Sequence, residues 1–162
     1  MIFVTVGNDF RSFDRLLRKM DEIAPALSDP LIIQRGYSKY IPRNAESFDF
    51  VPMEKAIELI QESRIVVSHA GIGTIMLCKE YGVPMLILPR VKRYQEHIND
   101  HQLEIARALE EREDEHIQIV YDEGRLKEKV LEFLKGSTRY PPLANAGKSN
   151  LIRAIRDFIE QM

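Results

Sequence analysis

Short runs of β-branched and aliphatic residues alternate along this chain with stretches in which apolar side chains recur every three or four positions. Residues 2–6 (Ile2, Phe3, Val4, Thr5, Val6) are apolar and end at Gly7, which predicts a buried strand. Phe13, Leu16, Leu17 and Met20 then follow helical spacing as far as Pro25. Leu31-Ile32-Ile33 predicts the next strand, and a polar loop broken by Gly and Pro occupies 35–46. A brief strand over 48–51 leads to Pro52, which opens a helix with Ala56, Ile57 and Ile60 inward. Ile65-Val66-Val67 is another buried run that enters Ser68-His69-Ala70-Gly71-Ile72-Gly73-Thr74 directly. A helix follows to Tyr81, Gly82 closes it, and 84–88 is again a strand. Beyond it the pattern predicts a long helix over 95–111, an edge strand over 117–120, and helices over 123–134 and 148–161.

Strands and helices in alternation predict an α/β fold, a Rossmann-like doubly wound parallel sheet with right-handed crossovers. The 162 residues suit one domain, 1–162, with a linker over 136–147 that contains Pro141-Pro142. The terminal helix beyond that linker either docks elsewhere or folds back on the same sheet.

Composition narrows the function classes. With 44% hydrophobic residues the chain can bury a core without staples. The 23 basic and 25 acidic residues leave a formal charge of −2, which argues against a nucleic-acid partner. The single Cys78, among Met76, Leu77 and Tyr81, excludes an intramolecular disulfide and reads as inert core filler. The apolar N-terminus is too short for a signal segment, and no run reaches the ~20 apolar residues that span a bilayer. The expectation is a soluble, cytoplasmic protein.

Two segments carry candidate chemistry. In 65–74, a buried strand runs into a glycine-rich turn and a helix. Gly71 and Gly73 let a ligand reach the backbone, the first helical N–H groups point outward, and Thr74 can donate from the first turn. A diphosphate fits such a turn; tight strand–helix packing is the alternative. The third glycine of Gly-x-Gly-x-x-Gly is missing, as is any Gly-Lys-Ser/Thr triplet, which speaks against classical NAD binding and ATP hydrolysis. The second segment, 89–102, follows the next strand and so reaches the same sheet edge. Its mixed polar groups suit sugar hydroxyls, although Asn99 or Asp100 can equally be a helix cap. Arg90, Lys92 and Arg93 read as a solvated basic patch that can also face an anion. His97 and His101 stand four residues apart but lack a third ligand at recognisable spacing, so no metal site and no cofactor is expected.

Taken in order, Val4-Thr5-Val6-Gly7, Gln34-Arg35-Gly36-Tyr37-Ser38, Ser68 through Thr74, and Asn99-Asp100-His101-Gln102 resemble the C-terminal domain of family-28 glycosyltransferases. Within that family the chain is most similar to stand-alone subunits of split enzymes, those acting on dolichol-linked GlcNAc and on bacterial exopolysaccharide intermediates. The resemblance implies the C-terminal, donor-binding half of a GT-B enzyme. It implies an inverting, metal-independent hexosyltransferase that takes a UDP-sugar and serves a lipid-diphosphate-linked sugar acceptor. The acceptor would be held by a separate, membrane-associated partner subunit, keeping this chain at the cytoplasmic face. By the same resemblance His69, Gly71, Gly73 and Thr74 face the diphosphate, and the backbone at Phe50 and Val51 meets uracil. His101 and Gln102 touch the donor sugar, and Gly7 and Asn8 line the cleft. The catalytic base then belongs to the partner, with His69 the candidate within this chain. Two positions depart from the family: Leu77 stands where a ribose-binding Glu is frequent, leaving Glu80 one turn on as its substitute, and Asn8 stands where Thr is frequent. They keep two other readings open, a non-catalytic enhancer subunit and a UDP-sugar epimerase-like half.

Overall fold

The computed structural model describes residues 1–142 together with Arg153 and Asp157. The strands are β1 (Ile2–Thr5), β2 (Leu31–Gln34), β3 (Glu46–Phe48), β4 (Ile65–Ser68), β5 (Met85–Ile87) and β6 (Ile117–Ile119). Among the described residues they form one sheet in the order β3-β2-β1-β4-β5-β6, with every neighbouring pair parallel. The helices are α1 (Asp14–Ile23), α2 (Met53–Glu62), α3 (Ile72–Tyr81), α4 (His101–Glu111) and α5 (Leu126–Gly136).

Successive strand residues point to opposite faces, so each strand feeds two cores. Ile2, Val4, Ile65 and Val67 pack with Phe13, Leu16, Leu17 and Met20 of α1 and its approach, and with Val130 and Phe133 of α5. Phe3, Val66, Met85 and Ile87 pack on the other face with Leu59 and Ile60 of α2, Ile75 and Cys78 of α3, and Ile105 of α4. Burial on both faces explains why the strands read as continuous apolar runs rather than alternating ones. Emptying either layer, as by Phe13→Ala, costs about 3–5 kcal/mol in a core of this kind. The Cys78 thiol is buried, and burial pushes it up to about 12, which keeps it protonated and inert.

Two boundaries differ from the sequence expectation. The helix expected over 95–111 begins at His101. Before it, Lys92–Tyr94 make a 3-10 turn and Gln95 takes a left-handed conformation with φ 60°. Side chains hold that loop by bonding main-chain groups: Glu96 accepts from Val91 N, Asp100 from Lys92 N, and Asn99 from His101 N. Such local bonds compete with helix formation. The third strand occupies 46–48 rather than 48–51, because its partner turns away at Gly36, whose φ is +57°. Only the N–H groups of Arg35 and Gly36 continue the ladder, to Phe48 O and Asp49 O.

The expected linker, 136–147, is pinned along 137–142. Arg139 donates to Ser63 O, Tyr140 N donates to Gly82 O, and the Tyr140 ring stacks on His116 at 4.0 Å. The expected terminal helix, 148–161, lies outside the described residues but for Arg153 and Asp157.

Candidate functional site

The strand order reverses direction at β1: the chain moves outward to β2 and β3, then returns to place β4 on the other side of β1. In an open parallel sheet this reversal leaves a crevice at the carboxyl ends of the two central strands. A cleft of about 500 Å³ lies there, lined from β1 and its loop by Phe3, Thr5, Gly7 and Asn8, from β2 by Gln34, from the β3–α2 region by Val51, Met53, Ala56 and Ile60, and from the β4–α3 region by His69, Gly71, Gly73, Thr74, Met76, Leu77 and Glu80. That volume falls within the range of small-molecule sites.

One wall is the start of α3. Gly71 is its N-cap, and no side chain bonds into that end. The first N–H groups of a helix have no partner within it, and the aligned peptides place roughly half a positive charge there. Gly73 has open space where a Cβ would stand, so a ligand can reach the backbone over it. Across the cleft Gly7 has φ +71°, a conformation glycine adopts without strain.

The imidazole of His69 fills the space between the two glycines. A Cβ on Gly7 would stand 2.4 Å from its Nε2, and one on Gly71 would stand 2.1 Å from its Cε1. Both glycines are therefore required by the ring. Behind it, Gln102 is buried and its carboxamide meets His69 Nδ1 at 2.9 Å. The Gln102 Oε1 accepts from Ala70 N at 3.1 Å and from Arg90 N at 3.0 Å. The Arg90 side chain is fully buried, and its guanidinium donates to Val6 O, Arg11 O and Glu96 O at 2.7, 3.0 and 3.0 Å. It thus ties the loop after β1 to the loop after β5. The Glu96 carboxylate in turn takes two bonds from Arg15, at 2.8 and 2.9 Å. Burial, then the Arg90 charge, push His69 down to about 3, so it is neutral at ordinary pH. The rest of the cleft is apolar, formed by Val51, Met53 and Ala56 from the β3–α2 region and by Met76 and Leu77 further along α3, over a floor of Phe3, with the Thr5 hydroxyl bonded to Gln34 Oε1 at 2.8 Å.

Of the residues singled out by sequence, Gly7, Asn8, Val51, His69, Gly71, Gly73, Thr74 and Glu80 line one cleft. Phe50 stands beside it, packed edge-on against Tyr37 at 4.9 Å. Gln102 lies one layer behind His69 rather than on the cleft surface. His101 is on the exposed side of the α4 start, bonded to Glu104 at 3.1 Å. His97 precedes the helix, so the pair shares no helical face, and no cluster of three potential metal ligands occurs among the described residues. Arg90 is no surface cation, unlike exposed Lys92 and Arg93; the signal for it was its place immediately after a strand's carboxyl end. Phe3, Thr5, Gln34, Met53, Ala56, Ile60 and Met76 were missed because each reads as ordinary core or helix.

The C-terminal domain model of glycosyltransferase family 28 matches residues 1–162 of the chain. The human UDP-N-acetylglucosamine transferase subunit ALG13 is 33% identical over 119 residues, 67% of this chain and 10% of that protein. The mouse protein of the same name is 31% identical over 118 residues. The chain thus spans about a tenth of the length of these curated relatives. Among solved structures, the solution structure of ALG13 superposes with a TM-score of 0.62 at 18% identity, over 94% of this chain and 93% of that one. The MurG crystal structure from Acinetobacter baumannii gives 0.58 at 19% identity, over 99% of this chain and 49% of that one.

Proposed function

We infer the reaction from one premise: the chain belongs to the glycosyltransferase family 28 C-terminal domain family. On that premise it is the donor-binding subunit of an inverting, metal-independent transferase that takes a hexose-type sugar from a UDP-sugar, with UDP-N-acetylglucosamine the first to test. The observation that carries this reading is the uncapped start of α3 facing Gly7 across the sheet's reversal point, with an apolar slot alongside.

The diphosphate lies on the N–H groups of the first turn of α3, with the Thr74 hydroxyl and His69 as side-chain donors. The uridine lies in the slot, its uracil at the backbone of Phe50 and Val51 and its ribose toward Glu80. An acceptor hydroxyl attacks the anomeric carbon from the face opposite the diphosphate. A new C–O bond forms as the bond to the β-phosphate oxygen breaks, and that oxygen keeps the electron pair. Fixed donors and the helix dipole stabilise the charge that develops there. The hydroxyl's proton goes to a base on the acceptor-binding half, since neutral His69 holds little affinity for it.

A partner subunit completes the site, because a one-sided cleft leaves the reacting sugar in water, where these dipoles are weak. Phe10, Tyr37 and Ile98 stand exposed on the loops that follow β1, β2 and β5, and form the apolar face for it. In this reading the partner also holds the lipid-diphosphate-linked acceptor at the membrane; among the described residues of this chain no helix is long and apolar enough to cross one.

Calorimetric titration with UDP and UDP-sugars tests the reading. Binding in the micromolar to millimolar range is expected, weakened about fivefold by Thr74→Val through loss of one hydrogen bond, about 1 kcal/mol. Absence of binding with and without the partner would overturn it. A second reading rests on Leu77 lining the slot: a subunit that binds no nucleotide and only activates its partner. It predicts that His69→Ala leaves the transfer rate of the reconstituted complex unchanged.

A further inference from the structure

We propose that Gln102 is a positioning residue, whose carboxamide holds His69 in the tautomer with its proton on Nε2, making the imidazole a fixed hydrogen-bond donor toward the cleft and not a base. Two main-chain N–H groups, of Ala70 and Arg90, converge on one atom of the Gln102 amide, at 3.1 and 3.0 Å. N–H groups donate only, so that atom is the carbonyl oxygen, and the orientation of the amide follows without reference to His69. The atom 2.9 Å from His69 Nδ1 is then the NH₂ group, which can only donate. Nδ1 must accept, so it carries no proton. A neutral imidazole has its one proton on the other nitrogen, Nε2, which lies on the far side of the ring, between Gly7 and Gly71 at the cleft.

The surroundings keep the ring neutral as well as oriented. It is buried, and the Arg90 guanidinium acts against a second proton, as does His97 more weakly, while the charge of Asp9 acts in its favour. Arg90 contributes twice: its N–H fixes the orientation of Gln102, and its guanidinium disfavours imidazolium. A donor of this kind needs no reorganisation when charge develops on a diphosphate oxygen. The role of His69 toward a diphosphate rests on the proposed donor site; its tautomer does not.

Long-range proton–nitrogen correlation spectra of the ¹⁵N-labelled chain test the proposal, with His69 assigned by its loss in His69→Gln. The expected pattern is a protonated Nε2 and a bare Nδ1 at every pH from 8 to 5. A proton on Nδ1, or titration of His69 within that range, overturns the proposal, and this measurement needs no variant to fold. Gln102→Glu sharpens it: one carboxylate oxygen can still accept from Ala70 and Arg90, but the other must accept from His69. Nδ1 is expected to gain a proton; an unchanged tautomer in this variant refutes the coupling. Adding UDP to the wild type then reads the other assumption. A shift of Nε2 larger than that of Nδ1 is expected, whereas no shift with the tautomer intact would count against the donor site and leave the tautomer assignment standing.

Discussion

The two walls of the cleft are made by opposite means. On the β4–β5 side, His69, Gln102, Arg90, Glu96 and Arg15 form a chain of buried or half-buried polar groups, each held by another. The other wall, built by Val51, Met53 and Ala56 from the β3–α2 region and by Met76 and Leu77 of α3, offers apolar surface and little hydrogen bonding. The first wall fixes dipoles in advance, which suits a group whose charge changes during reaction. The second supplies area without direction, which suits a flat base and a sugar ring held at their edges by backbone. The difference teaches that a buried polar network makes its wall brittle, while the apolar wall should tolerate substitution.

The largest test of that contrast is Arg90→Ala. It strips donors from three carbonyls, those of Val6, Arg11 and Glu96. Each buried acceptor left without a partner costs about 1–3 kcal/mol, so a loss of about 4 kcal/mol is expected, with Tm falling by about 10 °C. Met76→Ala on the other wall should cost about 1 kcal/mol because its side chain is only half-buried. Thermal denaturation of the two variants compares them; equal losses would remove the distinction between the walls.

A second test uses pH. His69 is pushed down to about 3 from its ordinary 6.5. Its folded-state value lies below its unfolded one, so the unfolded chain binds the proton first. The stability this represents is fully present above pH 6.5 and declines as pH falls toward 3, by at most about 1.4 kcal/mol per unit. The carboxyls of Asp9 and Asp21 are also held low, despite burial, by the groups that donate to them. For Asp9 the donor is Arg11 N–H, with the Arg90 charge adding to it; for Asp21 it is the Tyr40 hydroxyl first, then the N–H groups of Arg43 and Asn44. Their contribution is lost only in more acid solution, as pH falls below the ordinary carboxyl range. Urea unfolding at pH 6.5 and pH 5.5 therefore isolates the histidine. The wild type should lose about 1 kcal/mol more than His69→Asn over that interval, and parallel losses would show that His69 is not protected from protonation.

How much of this was legible in the sequence differs between the walls in the same way. The glycine turn at 68–74 announced itself through residue type, because Gly71 leaves room for the His69 ring and Gly73 leaves the backbone bare. The order of strands and helices was legible because double-sided burial leaves unbroken apolar runs such as Ile65-Val66-Val67. The polar network was not. Gln102 and Arg90 look like any loop or helix-start residues until the topology brings Ala70 and Arg90 to one amide, and long-range pairing of that kind leaves no local pattern. The start of α4 was misplaced for a related reason: Ile98 extends a helical spacing through a loop that Glu96, Asn99 and Asp100 hold by side-chain bonds. The floor residues Phe3, Thr5 and Gln34 belong to strands, and strand periodicity alone cannot separate core from cleft.

The smallest effect is the most informative about the apolar wall. Leu77 lines the slot one turn before Glu80, and related donor domains often carry Glu at this position. Leu77→Glu adds an acceptor where the proposed ribose lies. A hydrogen bond to a charged acceptor contributes about 1.5–3 kcal/mol, part of which is offset by desolvation and by repulsion from Glu80 three residues on. The net gain in UDP affinity should be about tenfold or less, measured by titration. It should come with a small loss of stability, because Leu77 is partly buried against the apolar core on this face of the sheet. Uridine diphosphate should gain more than inorganic pyrophosphate, which has no ribose. Equal changes for the two ligands would mean that the new charge acts on the phosphates at long range. A weaker hold on both would place the nucleoside outside this slot and leave the apolar wall as a surface for something other than a base and its sugar.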